Sequence, residues 1–142
     1  MLILQIGISV FIFIEILNVI ILYTNPTSKM GNGVGVFDSY IEIKEENKEF
    51  VNYLVNWVAG AKLIFIMVGI VVVVFGDYLT QLFTVIAMII SIGSFYWKLF
   101  PAIKRLDSKG KISPKGYYKT LNYMILSFII GFIVVLVVAL LS

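Results

Sequence analysis

An all-α fold, four antiparallel helices crossing a membrane as one bundle, is the class this sequence predicts, and three observations predict it. Hydrophobic residues make up 61% of the 142 and charged residues only 13%, a balance that belongs to membrane proteins rather than soluble domains. Four apolar segments, about residues 2–22, 51–76, 78–100 and 119–141, each reach the roughly 20 helical residues that span ~30 Å of hydrocarbon. Those segments use up the chain, so residues 1–142 read as a single domain. Each helix then satisfies its own backbone N–H and C=O groups, because lipid offers them no partner.

The first segment opens on "MLILQIGISV", which lacks the basic start of a secretory signal and is followed by no small-residue cleavage site; it reads as a retained helix. The first loop, residues 23–50, carries Lys29, Lys44 and Lys48 against Asp38, Glu42, Glu45, Glu46 and Glu49. Residues 24–35 read as a turn region. An amphipathic helix is expected from about Val36, setting Phe37, Tyr40 and Ile41 into the membrane interface with a solvated acidic back, "EIKEENKE". That acidic run lies on the same side as the basic second loop and is able to pair with it. The glycines of "KMGNGVGVFDSY" are no phosphate cradle, since that needs a preceding strand and a following helix in one βαβ unit.

The second and third segments are joined by the tight turn "GDY", where Asp77 is placed to cap the third helix. The second loop, residues 101–118, and its flanks carry Lys98, Lys104, Arg105, Lys109, Lys111, Lys115 and Lys119 against Asp107. An even number of crossings puts it beside the first loop. Every Lys and Arg but Lys62 therefore falls on one side, and the side holding both termini and the GDY turn has none. By the positive-inside rule both long loops are cytoplasmic and both termini outside, in a multi-pass cell-membrane protein. Tyr23, Trp57, Tyr96, Trp97, Tyr117 and Tyr118 cluster near the same inner boundary, with Tyr78 nearly alone at the outer one. Lys104, Arg105, Lys109, Lys111, Lys115 and Lys119 read as a contact for anionic lipid headgroups, worth about 1 kcal/mol per basic residue, rather than for nucleic acid.

Two charges lie inside the spans. Glu15, in "FIFIEILNVI", sits about 11–12 Å in from the inner end of the first helix, and Lys62, in "NWVAGAKLIF", about 14–17 Å along the second. Either one alone facing lipid costs on the order of 2.5–3.5 kcal/mol. The depths nearly coincide, so the expectation is that Glu15 faces the bundle interior and meets Lys62. Asn18, one turn on from Glu15, shares its face and can donate to the carboxylate; Asn56 is a second interface candidate. The trio reads equally as a structural bolt that sets register and as a proton- or ligand-responsive centre.

Small and hydroxyl side chains recur on the remaining faces: Thr80, Thr84, Ala87, Ser91, Ser94 and Lys98 in the third helix, Thr120, Ser127 and Gly131 in the fourth, Ala59, Lys62 and Gly69 in the second. These stripes read as helix-packing faces, since small side chains let backbones approach where no hydrophobic effect drives association.

Absences narrow the function. There is no cysteine and no histidine, which excludes a disulfide framework, thiolate catalysis, His-ligated haem and the common zinc sites. No metal or cofactor is expected, and a membrane enzyme has the weakest case because no nucleophile and base or carboxylate cluster appears. In architecture the chain resembles the small multidrug resistance exporters: four short helices and one membrane carboxylate in the first, corresponding to Glu15. The resemblance implies a proton-linked site. The chain departs from that family in its long acidic first loop, in Lys62 beside the carboxylate and in lacking the aromatic pocket motif. A transporter or proton-translocating homo-oligomer is thus the first expectation; an accessory or assembly protein that binds membrane partners through helix faces and loops is the alternative.

Overall fold

The computed structural model describes residues 1–29 and 34–142, the side chain of Ser39 excepted; Gly31 and Gly33 of the glycine run lie outside them. The described residues form helices and turns with no strand, and four helical stretches are long and apolar enough to cross a membrane. These are α1 (Leu2–Thr24), α3 (Glu45–Phe75), α6 (Tyr117–Leu141), and α4 (Tyr78–Gly93) with its continuation. One end of the bundle holds both termini and the Gly76–Asp77 turn and is called the turn end. The other is the loop end.

α1 packs along α3 and α6, and α4 along α6. On α3 the contact face is Val55, Ala59, Ile66 and Gly69, buried at alternating steps of four, seven and three. Ala59 and Gly69 of the expected stripe lie on this face, with the larger Val55 and Ile66 beside and between them. At Gly69 a Cβ would come within 2.8 Å of Ile12 Cδ1, and at Gly7 one would come within 2.9 Å of Val135 Cγ2, so each glycine admits a neighbouring side chain to the backbone. Phe11 lies where α1, α3 and α6 meet, its ring 6.1 Å from Phe65, 5.3 Å from Phe128 and 5.4 Å from Phe132.

The stripes of α4 and α6 do not pack inside the bundle. α4 buries Gln81, Val85 and Met88, while Thr80, Ala87, Ser91 and Ser94 are exposed; on α6, Thr120, Ser127 and Gly131 are exposed and Leu121, Phe132 and Ala139 are buried. Residue size cannot tell a helix face that meets a neighbour from one that looks outward: on both helices the buried face lies about 100° round the axis from the stripe.

At the turn end, Asp77 Oδ1 accepts the Thr80 N–H at 2.8 Å and caps α4. Two glutamines donate to carbonyls at the end of α3. Gln5 Nε2 donates to Val73 O at 3.2 Å in the last turn, where helices leave carbonyls over. Gln81 Nε2 donates to Gly76 O at 3.0 Å, just past the helix, and to Val72 O at 3.4 Å, which also accepts the Gly76 N–H. The Tyr78 hydroxyl donates to Ala139 O at 3.0 Å, tying α4 to the end of α6.

The loop end differs from the sequence expectation in two places. The helix expected from Val36 is one turn, α2 (Asp38–Ile41), and the acidic run belongs to α3, which starts at Glu45. Glu45 and Glu46 stand in its first turn, where the helix dipole favours negative charge. Tyr40 is buried, its hydroxyl donating to Asn52 Oδ1 at 2.9 Å, rather than set in an interface. In the third span the α-helix stops at Gly93 and passes through a 3₁₀ turn (Ser94–Tyr96) into α5 (Leu99–Ser108). Pro101 has no N–H to give the carbonyl four residues back, so the chain breaks just upstream and restarts with Pro101 in the new first turn. α5 is the amphipathic helix of the molecule, with Ile103 and Asp107 buried and Lys104 and Arg105 exposed.

The two loops are joined through backbone, not through their opposite charges. The Ser113 N–H donates to Val36 O at 2.9 Å and the Asp38 N–H to Lys111 O at 3.1 Å, an antiparallel bridge between Phe37 and Ile112. Among the described residues the ion pairs are Lys62–Glu15 and Lys48–Glu45. Val36, Ile103, Ile112 and Leu121 form a second small core there, closed by Gly116 at φ +86°, whose N–H donates to the buried Asp107 Oδ1 at 2.7 Å.

Candidate functional site: a polar centre in an apolar cavity

Phe11, Glu15, Asn18 and Leu22 follow one another on α1 at steps of four, three and four, so they share a face. Lys62 stands on α3 between buried Ala59 and Ile66. The small Ala59 lets α3 come close enough for a lysine to reach α1. Lys62 Nζ donates to Glu15 Oε2 at 2.8 Å and to Asn18 Oδ1 at 2.6 Å. Asn18 therefore faces the ammonium with its carboxamide oxygen. Asn56 is exposed on α3.

The centre is only partly enclosed: the Lys62 side chain keeps 31% of its accessible surface and that of Glu15 keeps 16%. What they face is a cavity of about 730 Å³ at the loop half of the bundle, lined among others by Phe11, Val55, Phe95, Leu121 and Phe128. Exposed Leu54 and Val58 of α3 form one rim, and exposed Ser91, Ser94 and Leu99 the other. The cavity thus opens sideways, between α3 and the α4–α5 segment. A largely apolar cleft of this size with a few convergent polar groups is the usual form of a small-molecule site.

The pair, which lines the cavity, keeps hydrogen-bonding capacity in reserve. An ammonium has three N–H donors, of which Lys62 uses two, and a carboxylate accepts at both oxygens, of which Glu15 uses Oε2. The pair is neutral overall.

Lys104, Arg105, Lys109, Lys111, Lys115 and Lys119 are all exposed at the loop end, outside the cavity. Among the described residues no group of three or more acidic side chains converges as metal ligands would. Gln5 and Gln81 carry no charge to mark them in an apolar span; a glutamine within a few residues of a span's end is the signal that finds them. No family model matches the chain, and neither does any curated protein or solved structure. The likeness to the small multidrug resistance exporters rests on helix number and Glu15 alone.

Proposed function

We propose that this chain is a multi-pass membrane protein, with both long loops cytoplasmic and both termini outside, that translocates protons around the Glu15–Lys62 pair. One observation carries the reading: the pair and Asn18 stand in the wall of a cavity of about 730 Å³ rather than sealed between packed helices. A charge pair kept only for register gains nothing from such access, whereas a pair that exchanges protons needs it. The two charge states open to it without net charge, ion pair and neutral acid with amine, differ by one proton moved between Nζ and Oε2. The one-sided basic residues support the orientation, and the exposed cluster from Lys104 to Lys119 suits anionic headgroups. The outward stripes of α4 and α6 suit a homo-oligomer.

The test is proton flux. Protein reconstituted into liposomes with a trapped pH-sensitive dye, under a potassium diffusion potential, should acidify the lumen faster than protein-free liposomes. Glu15→Gln should return the rate to background while the protein still elutes as a folded species. A parent no faster than empty liposomes, or a Glu15→Gln variant as fast as the parent, refutes the reading. The alternative, an accessory protein that holds membrane partners, is favoured by the same outward stripes and by the docked loops. It predicts a partner protein that co-purifies from native membranes and persists in the Glu15→Gln, Lys62→Met double variant.

A further inference from the structure

We infer that the cavity is a lateral binding site for an uncharged amphiphile whose hydroxyl head inserts between Glu15 and Lys62 while its chain lies against Phe11, Val55, Phe95 and Leu121. The inference rests on the reading of this centre as a working site and names what enters it. Three features select the occupant. Among the lining residues Leu54, Val58, Leu99 and Leu106 are exposed and apolar, with two serines beside them, so an apolar chain has a way in from the lipid phase between α3 and the α4–α5 segment. The volume of about 730 Å³ lies within the roughly 300–1,000 Å³ of small-molecule pockets.

The head is selected by charge. Glu15 and Lys62 cancel, so a ligand with a net charge would bring an unpaired charge into an apolar wall. A hydroxyl is both donor and acceptor. It can accept the third N–H of Lys62 and donate to Glu15 Oε1 in one position, completing the two contacts the pair leaves open and adding no charge. A fatty acid anion supplies no donor and a methyl ester supplies none either. A monoacylglycerol or a long-chain alcohol has the required head on a chain that fits the lining.

The experiment uses the full chain in phosphatidylcholine nanodiscs. A monoacylglycerol with a photoreactive diazirine in its hexadecanoyl chain is compared with the matching fatty acid and methyl ester, and crosslinks are mapped by mass spectrometry. The expected result is saturable labelling of peptides holding Val55, Phe95 and Leu121, with half-saturation about tenfold lower for the monoacylglycerol than for the methyl ester, as one added hydrogen bond to the charged carboxylate would give. Leu54→Trp, at the exposed rim, should abolish that labelling with the ion pair untouched. In the Glu15→Leu, Lys62→Met variant, checked for fold by circular dichroism, the head preference should disappear. Equal labelling by methyl ester and monoacylglycerol overturns the inference, as does tighter binding of the fatty acid, or labelling of outward Val74 and Val137 as strong as that of the cavity. Head-dependent labelling with proton flux that ignores Glu15→Gln keeps this site and removes the proton-translocation reading. Glu15-dependent flux with head-independent labelling does the reverse.

Discussion

Removing Lys62 alone from the Glu15–Lys62 pair should cost far more than removing both charges. In Lys62→Met the methionine fills the same volume, but the Glu15 carboxylate, with 16% of its side chain accessible, loses its cation and Asn18 loses its donor. Breaking a buried pair costs about 3–5 kcal/mol, and the partial access at this site puts the expected loss at the low end, about 3 kcal/mol. Glu15→Gln leaves an ammonium facing two carboxamide oxygens and, with 31% of the lysine side chain accessible, relieved from the cavity side; about 1 kcal/mol is expected. The double variant has no charge to strand and should lie within about 1 kcal/mol of the parent. The cycle then yields a coupling of about 3 kcal/mol in favour of the pair, at the upper end of what contacting residues show. The assay is equilibrium unfolding in mixed micelles, raising the fraction of sodium dodecyl sulfate and following ellipticity for all four proteins. Single variants that each lose less than about 0.5 kcal/mol and add without coupling would refute the reasoning, because the charges would then be fully solvated in the cavity.

Three further outcomes are expected. Gly69→Leu should destabilise the α1–α3 contact by about 1–3 kcal/mol through the clash with Ile12, whereas Gly131→Leu, with nothing within 4 Å of its Cβ position, should not; thermal unfolding in detergent separates them. The Thr80 side chain and backbone hold the Asp77 carboxyl below its ordinary value of 3.8, so its capping contribution is full above that value and is lost as pH falls through the lower folded one. The difference in unfolding temperature between the parent and Asp77→Ala should therefore be constant near neutrality and vanish in acid; a gap that persists in acid would remove the carboxylate from the cap. Asp107→Ala should strand the Gly116 N–H in the loop-end core, cost about 1–3 kcal/mol, and raise hydrogen exchange at Gly116 ahead of the four spans; unchanged exchange there would show that the contact holds nothing.

Some of this molecule is legible in its sequence because depth along a helix is simple arithmetic. Counting residues from the loop end set Glu15 and Lys62 at one height, and antiparallel neighbours at one height meet. What counting does not give is rotation about the axis. Thr84, Ala87 and Ser91 form the same stripe whether α4 shows it to α6 or to the outside, and only the competing face of Gln81, Val85 and Met88 decides. The first loop misled for another reason: Glu45 to Glu49 look like the polar back of a surface helix, but charged residues equally suit the first turns of a long helix that overshoots the hydrocarbon. The break before Pro101 follows from proline chemistry and falls where α4 gives way to the 3₁₀ turn and α5.

The glutamine clamps at the turn end have a mechanical consequence. Gln5 and Gln81 pin carbonyls at the end of α3 to α1 and α4, while at the opposite end α3 faces an open cleft. A tilt of α3 about that anchored end would have its fulcrum beside Gly76 and would work against the Tyr40–Asn52 hydrogen bond. The 31 residues of α3 span about 46 Å at 1.5 Å rise, so a tilt of about 5° about that fulcrum would carry its far end through about 4 Å, comparable to the width of a hydrocarbon chain. Loosening the fulcrum with Gln81→Ala should broaden the distance distribution between spin labels at Leu54 and Leu99 without shifting one between labels at Val74 and Leu79. Equal broadening at both pairs would mean general softening of the bundle instead of a stroke.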